Sequence, residues 1–250
     1  VVLGETGVVD TLDPGSLVLV HSTVGIETLH RLLGQLQLRG IALADAPALR
    51  IRRTDDEAFH FTMQKGETHD VQKARAAIEA ISTDFGHMGP LGVGMAAKIA
   101  NNLVTWTRMV VCAQAITPAA HYGASYEKLR HVLAANGNLT PTVAVLFDGK
   151  HISLFAADAA RDLFLANHAG IGEKDLKLVI DSGGATGLSV AMISETRDLV
   201  RAMMTRPLPQ AAPHAAGAGR WVNAQQDPVT AARSAVPAAG QRAASRPAGK

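Results

Sequence analysis

Two short apolar runs flanking an amphipathic stretch constrain this chain more than any other feature. Leu17-Val18-Leu19-Val20 follows the turn signal Asp13-Pro14-Gly15. A continuous apolar run of that length, bounded by turn residues, reads as a buried strand. From Gly25 to Arg39, Ile26, Leu29, Leu32, Leu33 and Leu36 recur at helical spacing, and Gly40 ends the pattern. Ile41 to Asp45 (IALAD) reads as the next strand. Strand, helix, strand at this spacing predicts a parallel crossover unit, and with it an α/β sheet. Phe59 to Met63 alternates and reads as a further strand. Asp70 to Ile81 predicts a helix, with Val71, Ala74, Ala77, Ile78 and Ile81 apolar.

From Met95 the character changes. One long helical pattern runs to about Ala120, closed by Pro118 and then Gly123, and helical segments continue to about Met204. The expected architecture is α/β followed by all-α, with parts at 1–89 and 90–206. Hydrophobic residues make up 47% and aromatics 4%, so a sizeable core must be built from Ala, Val, Leu and Ile. From Pro207 to Lys250 five basic residues stand against one acid, so the tail carries +4 and the rest −2. Ala, Pro and Gly supply 24 of those 44 residues, which predicts a low-complexity, disordered tail at 207–250.

The overall charge of +2 argues against an electrostatic nucleic-acid binder. No run of eighteen apolar residues exists, because Arg108 interrupts the nearest, so no membrane span is expected. One cysteine, Cys112, rules out an internal disulfide and is compatible with a reducing compartment; the expected location is cytoplasmic. The start lacks the basic and apolar regions of a secretory signal. It begins with Val, as a fragment or a trimmed chain does. The ten histidines show no metal-ligand spacing, so no metal is expected.

The stretch GPLGVGMAAKIANN (Gly89 to Asn102) admits three readings. Gly92 to Ala97 matches the dinucleotide pattern G-x-G-x-x-A, but DFGHMGPL before it does not read as a buried strand. The first acid after Gly94 is Glu127, too far along for that motif. A second reading is an ordinary helix start with a solvated lysine. The third rests on spacing. Lys98 and Asn102, four apart, share one helix face. Apolar Ile99, Leu103, Trp106, Met109 and Val110 surround them, so Lys98 is expected to be partly buried. Burial lowers an ammonium pKa and fits a lysine to carry a proton near neutral pH. The asparagine amide can hold a substrate oxygen, and the Gly92–Gly94 turn lets backbone approach it.

This stretch resembles the G-x-G-x-x-x-K-x-x-N-N signature of the β-hydroxyacid dehydrogenases. VHSTVGIETLHRL (Val20 to Leu32) is similar to the family's strand, D-x-S-T and helix, and GEKDLKLVIDSGGATGL (Gly172 to Leu188) to its K-D-L helix. The resemblance covers Val1 to about Met204. It implies a partial doubly wound, Rossmann-like dinucleotide-binding domain followed by a helical dehydrogenase domain. It also implies NAD or NADP as cofactor, a small hydroxyacid substrate and a homodimer. On the same basis Lys98 is the catalytic acid/base, Asn102 and Gly94 bind substrate, and Ser22, Thr23 and Lys174 bind cofactor. Asn101 has at most a supporting part. Ser22 and Thr23 also suit helix capping, an alternative their residue type leaves open. Lys174 is expected at a helix start.

The pattern breaks in two places. The start, VVLGETGVVDTLDPG, resembles family sequence beyond the glycine turn that holds the pyrophosphate, so weak cofactor binding by these residues alone is expected. Where the family has D-A-P-V-S-G-G, this chain has Asp45-Ala46-Pro47-Ala48-Leu49-Arg50. Arg50, Arg52 and Arg53 are either a carboxylate fork or a solvated loop. Gly183-Gly184 inside the K-D-L helix points to a weaker helix. His21 is expected to be a strand-end residue that tunes the site. The rival to an active dehydrogenase is a catalytically impaired remnant acting as a binding or dimerisation module.

Overall fold

The computed structural model describes residues 1–4, 7–52, 57–64, 68–80, 84–144, 147 and 159–205. The expected tail at 207–250 and Arg53 lie outside them. Two compact units are present. The first comprises Val1–Gln114 with the two helices after residue 158; the second begins at Ala115.

In the first unit, β1 (Leu17–Val20) leads through α1 (Ile26–Gln37) to β2 (Ala42–Asp45). β1 and β2 pair in parallel, Leu17 opposite Ala42 and Val20 opposite Asp45. This is the expected crossover unit. The LVLV run is apolar throughout because both faces of the strand are covered. Val18 and Val20 pack with Leu32, Leu36, Ile41 and Leu43. Leu17 and Leu19 pack on the other side with Ala74 and Ile78 of α2 (Thr68–Glu79). Helices on both faces make this part of a doubly wound sheet. All four residues of β1 are half-buried, whereas Leu29 and Leu36 of α1 are fully buried and each contributes about 1.5–3 kcal/mol.

β3 (Ala48–Arg52) pairs antiparallel with β4 (Glu57–Gln64), which pairs in parallel with β5 (Asp84–Gly89). Two expectations are corrected here. Arg50 and Arg52 belong to a strand, not a loop, because the ladder to β4 orders their backbone. A strand also does precede the glycine stretch, since β5 ends at Gly89, although DFGHMG lacks an apolar pattern.

α3 (Val93–His121) follows. Pro118 does not close it. The helix runs one further turn, and the chain turns at Gly123, where φ is +85°. In the second unit, α4 (Tyr126–Ala135) is capped by Ser125 Oγ, which accepts from the Lys128 N–H, and α5 (Pro141–Ala144) follows Thr140.

α6 (Ala159–Thr186) and α7 (Ala191–Thr205) complete the first unit. Leu165, Ala169, Leu176 and Val179 line the buried side of α6, and Ile193, Val200, Met203 and Met204 that of α7. At Gly172 the helices come too close for a side chain. A Cβ there would lie 2.9 Å from Val200 Cγ1 and 3.0 Å from the Trp106 ring. Gly172→Ala is therefore expected to lower the melting temperature. Overpacking costs about 1–3 kcal/mol, while helix propensity returns about 1 kcal/mol. A raised melting temperature would show that α6 can move away from Trp106 freely. Gly183, read as a mark of a weak helix, has a packing reason of its own: a Cβ there would collide with Val190 Cγ1.

Candidate active site

The site grows from the carboxyl end of β1. Residues 21–25 leave that strand end and are tied down at three points. His21 Nδ1–H donates to the Ala46 carbonyl at 2.8 Å. Lys174 Nζ donates to the Thr23 carbonyl at 2.8 Å, and the Val24 N–H reaches Met95 Sδ at 3.5 Å. Strand end, α3 and α6 are thereby held together. Neither Ser22 nor Thr23 caps α1. The N-cap is Gly25, with no side-chain cap bond, so the capping alternative falls away.

α3 starts without an acid in its own first turn. The missing negative charge comes from Asp45 at the end of β2, a fully buried carboxylate. Its Oδ1 accepts from the Gly92 N–H at 3.0 Å and its Oδ2 from the Met95 N–H at 2.6 Å. Gly92 has φ +97°, and a Cβ on it would sit 3.2 Å from Ile26 Cγ2, so glycine is required at this turn. The cap also settles the dinucleotide reading of Gly92–Ala97. The N–H groups that would receive a pyrophosphate already hold a carboxylate.

Five residues into α3 stands Lys98, half-buried. Burial pulls its pKa below the usual 10.5; the Asp175 carboxylate opposes that shift, and the Lys174 ammonium adds to it. Among the described residues its amine has no hydrogen bond or ion pair. One turn on, Asn102 is 8% exposed, and its Nδ2 donates to Asp175 Oδ2 at 2.8 Å. Asn101 Nδ2 reaches Asn102 Oδ1 at 3.4 Å. Gly94 is buried in the first turn of α3.

Lys174 is not at a helix start. It lies mid-way along α6, which continues through Gly170 and Gly172. No dipole argument applies to it. Its ammonium lies 2.8 Å from Asp175 Oδ1, off the direction of a hydrogen bond, and donates instead to Thr23.

Of the six residues predicted for the site, Thr23, Lys174 and Asn102 are joined through Asp175, and the charges of Asp175 and Lys174 act on Lys98. Ser22 lies exposed beside this cluster, and Gly94 underlies it without touching it through a polar contact. Two members were missed. Asp45 was legible only as an acid at a parallel strand's carboxyl end, where such sheets place functional groups. Asp175 carried a clearer signal, a charge on the apolar stripe Leu165, Ala169, Gly172, Val179.

The fold and this cluster define a class: a partial doubly wound α/β layer continued by long helices, with a partly buried lysine in the first turns of the long helix that follows the sheet. No family model matches the chain. The NAD-dependent L-serine dehydrogenase of Pseudomonas aeruginosa is 27% identical over 204 residues, covering 81% of this chain and 67% of that protein. The 3-hydroxyisobutyrate dehydrogenase of Mycobacterium tuberculosis, solved with L-serine, superposes with a TM-score of 0.60 at 20% identity, covering 80% of this chain and 68% of the other. Psf3, solved with NADP+ and 2-OPP, superposes with a TM-score of 0.62 at 15% identity, covering 84% and 71%. The chain is similar to proteins named as 3-hydroxyisobutyrate dehydrogenases and an NAD-dependent serine dehydrogenase, among its relatives and among its structural neighbours alike.

Proposed function

We propose that this protein is an NAD(P)-dependent oxidoreductase that moves a hydride between a β-hydroxyacid and a nicotinamide cofactor. The observation that carries the proposal is the half-buried amine of Lys98, one helical turn from the Asn102 amide and acted on by the charges of Asp175 and Lys174, the latter bonded to the Thr23 carbonyl just beyond β1. Its lowered pKa leaves more free base at neutral pH than an ordinary lysine has.

The residues at the strand end fit the nicotinamide end of such a cofactor. The Ser22 and Thr23 side chains are not used in capping, and they lie where parallel sheets bind ligands. A nicotinamide bound there would supply the acceptor for the hydride leaving the carbinol carbon. Lys98 Nζ takes the hydroxyl proton, so the C–H and O–H bonds break as the carbonyl forms, and it returns that proton in the reverse direction. Asn102 holds the substrate oxygen, and the α3 turn at Gly94 brings backbone close to it. Lys174, fixed by Thr23 and Asp175, supports the cofactor end.

L-serine and 3-hydroxyisobutyrate, which the relatives' names carry, are the substrates to try first. The division of labour is a cofactor part at 1–89 and a helical part at 90–206. Two copies pair, and the protein works in the cytoplasm. Among the described residues no helix is long and apolar enough to cross a membrane.

The test is a titration with NADH and NADPH of the protein expressed from its whole reading frame, following nicotinamide fluorescence. Saturable binding of either in the micromolar range is expected. No binding of either at millimolar concentration would overturn the proposal.

A further inference from the structure

Asp175 carries neither proton nor hydride in the chemistry above, yet it meets Asn102, Trp106 and Lys174. It is 3% exposed. Its Oδ2 accepts from Asn102 Nδ2 at 2.8 Å and from Trp106 Nε1 at 3.4 Å. Its Oδ1 lies 2.8 Å from Lys174 Nζ, and that ammonium is bonded to the Thr23 carbonyl. One carboxylate on α6 therefore meets two residues of α3 and, through its neighbour, the end of β1.

Burying a carboxylate costs several kcal/mol unless its partners compensate. A neutral residue would tie two helices together at less cost. A carboxylate adds two things that a neutral residue lacks. It accepts only, so the Asn102 amide must turn its nitrogen toward α6, and the flip that interchanges nitrogen and oxygen is closed. It also places a negative charge beside two ammonium groups, those of Lys98 and Lys174.

We propose that Asp175 is the positioning residue of this site: it fixes the orientation of the Asn102 amide and sets the electrostatic surroundings of the Lys98 amine. With Asn101 Nδ2 already reaching its Oδ1 at 3.4 Å, Asn102 is left with one acceptor position on that oxygen and one Nδ2 hydrogen for a ligand. The purpose of the arrangement rests on the dehydrogenase reading, but its existence does not.

Among the described residues, the charged groups acting on Lys98 are Asp175 and Lys174, both on α6. Asp175 favours the charged amine, so its loss must move the Lys98 titration to lower pH. The experiment uses protein carrying 13C-labelled lysine, with the Lys98 resonance assigned through Lys98→Arg. In Asp175→Asn the Lys98 midpoint is expected at lower pH than in the unaltered protein. An unmoved or raised midpoint in a folded variant overturns the proposal.

A second measurement needs no substitution. In the unaltered protein, one Asn102 side-chain proton should exchange with solvent more slowly than its geminal partner. Equal exchange at the rate of an exposed asparagine overturns the proposal even if Asp175→Asn does not fold. Neither readout involves turnover. An inactive protein with both signatures would sink the dehydrogenase reading and leave this one standing.

Discussion

Lys98→Met is expected to lower turnover about 10²- to 10⁴-fold, the usual contribution of a positioned acid or base. Stability should not fall. The amine is half-buried, and burial is the largest influence on its pKa, which lies below 10.5. The unfolded chain therefore holds the proton more firmly than the folded one. Folding stability rises with pH between the folded and unfolded values, and the cost of burying the charge is fully present below the folded value. Methionine keeps the length of the stem and removes that cost. The expected melting temperature at pH 7 is equal or higher, a pairing of lost activity with retained stability that a structural lysine would not show. The pH profile carries the same sign. Oxidation of a hydroxyacid needs the free amine, so its rate should rise with pH through the Lys98 pKa, and that rise should come at lower pH than free lysine would give. Full activity in Lys98→Met would remove the residue from the mechanism.

The second large effect concerns Asp45. It accepts two N–H groups at the start of α3 while lying fully buried at the end of β2. Hydrogen bonds to a charged group contribute about 1.5–3 kcal/mol each. Asp45→Ala leaves both donors without their acceptor, offset by the carboxylate that no longer needs burying. A net loss of about 3 kcal/mol is expected, which for a chain of this size lowers the melting temperature by about 6–12 °C. Asp45→Asn, with one acceptor oxygen, should fall between. Because the cap fixes where α3 begins, the Lys98 amine should also lose register with the strand end. A loss within 0.5 kcal/mol in Asp45→Ala would show that another group or solvent satisfies those N–H groups.

How much of this was legible depended on the range over which each residue acts. β1, α1 and β2 announce themselves because their burial is periodic along the chain. Leu17 and Leu19 face one helix, Val18 and Val20 the other, and the strand reads as solidly apolar. β3 and β5 do not, since ALRIR and DFGHMG carry charges and glycines where a pattern would be. Pairing with β4 makes them strands. The face shared by Lys98 and Asn102 was readable from a spacing of four. The ties from Asp45 to Gly92 and from Asp175 to Asn102 cross 47 and 73 residues, beyond any local periodicity. Lys174 lies inside α6 and not at a helix start, since the helix runs unbroken through Gly170 and Gly172. The reason for glycine at 172 is the Trp106 ring against it, which only the folded chain reveals.

The most direct test follows the hydrogen itself. A β-hydroxyacid deuterated at its carbinol carbon, L-serine or 3-hydroxyisobutyrate, is incubated with the protein and NAD or NADP, and the reduced cofactor is analysed by mass spectrometry. Deuterium on the nicotinamide, strongly diminished with Lys98→Met, is the result expected. Reduced cofactor without the label, or labelling that Lys98→Met leaves unchanged, would contradict it.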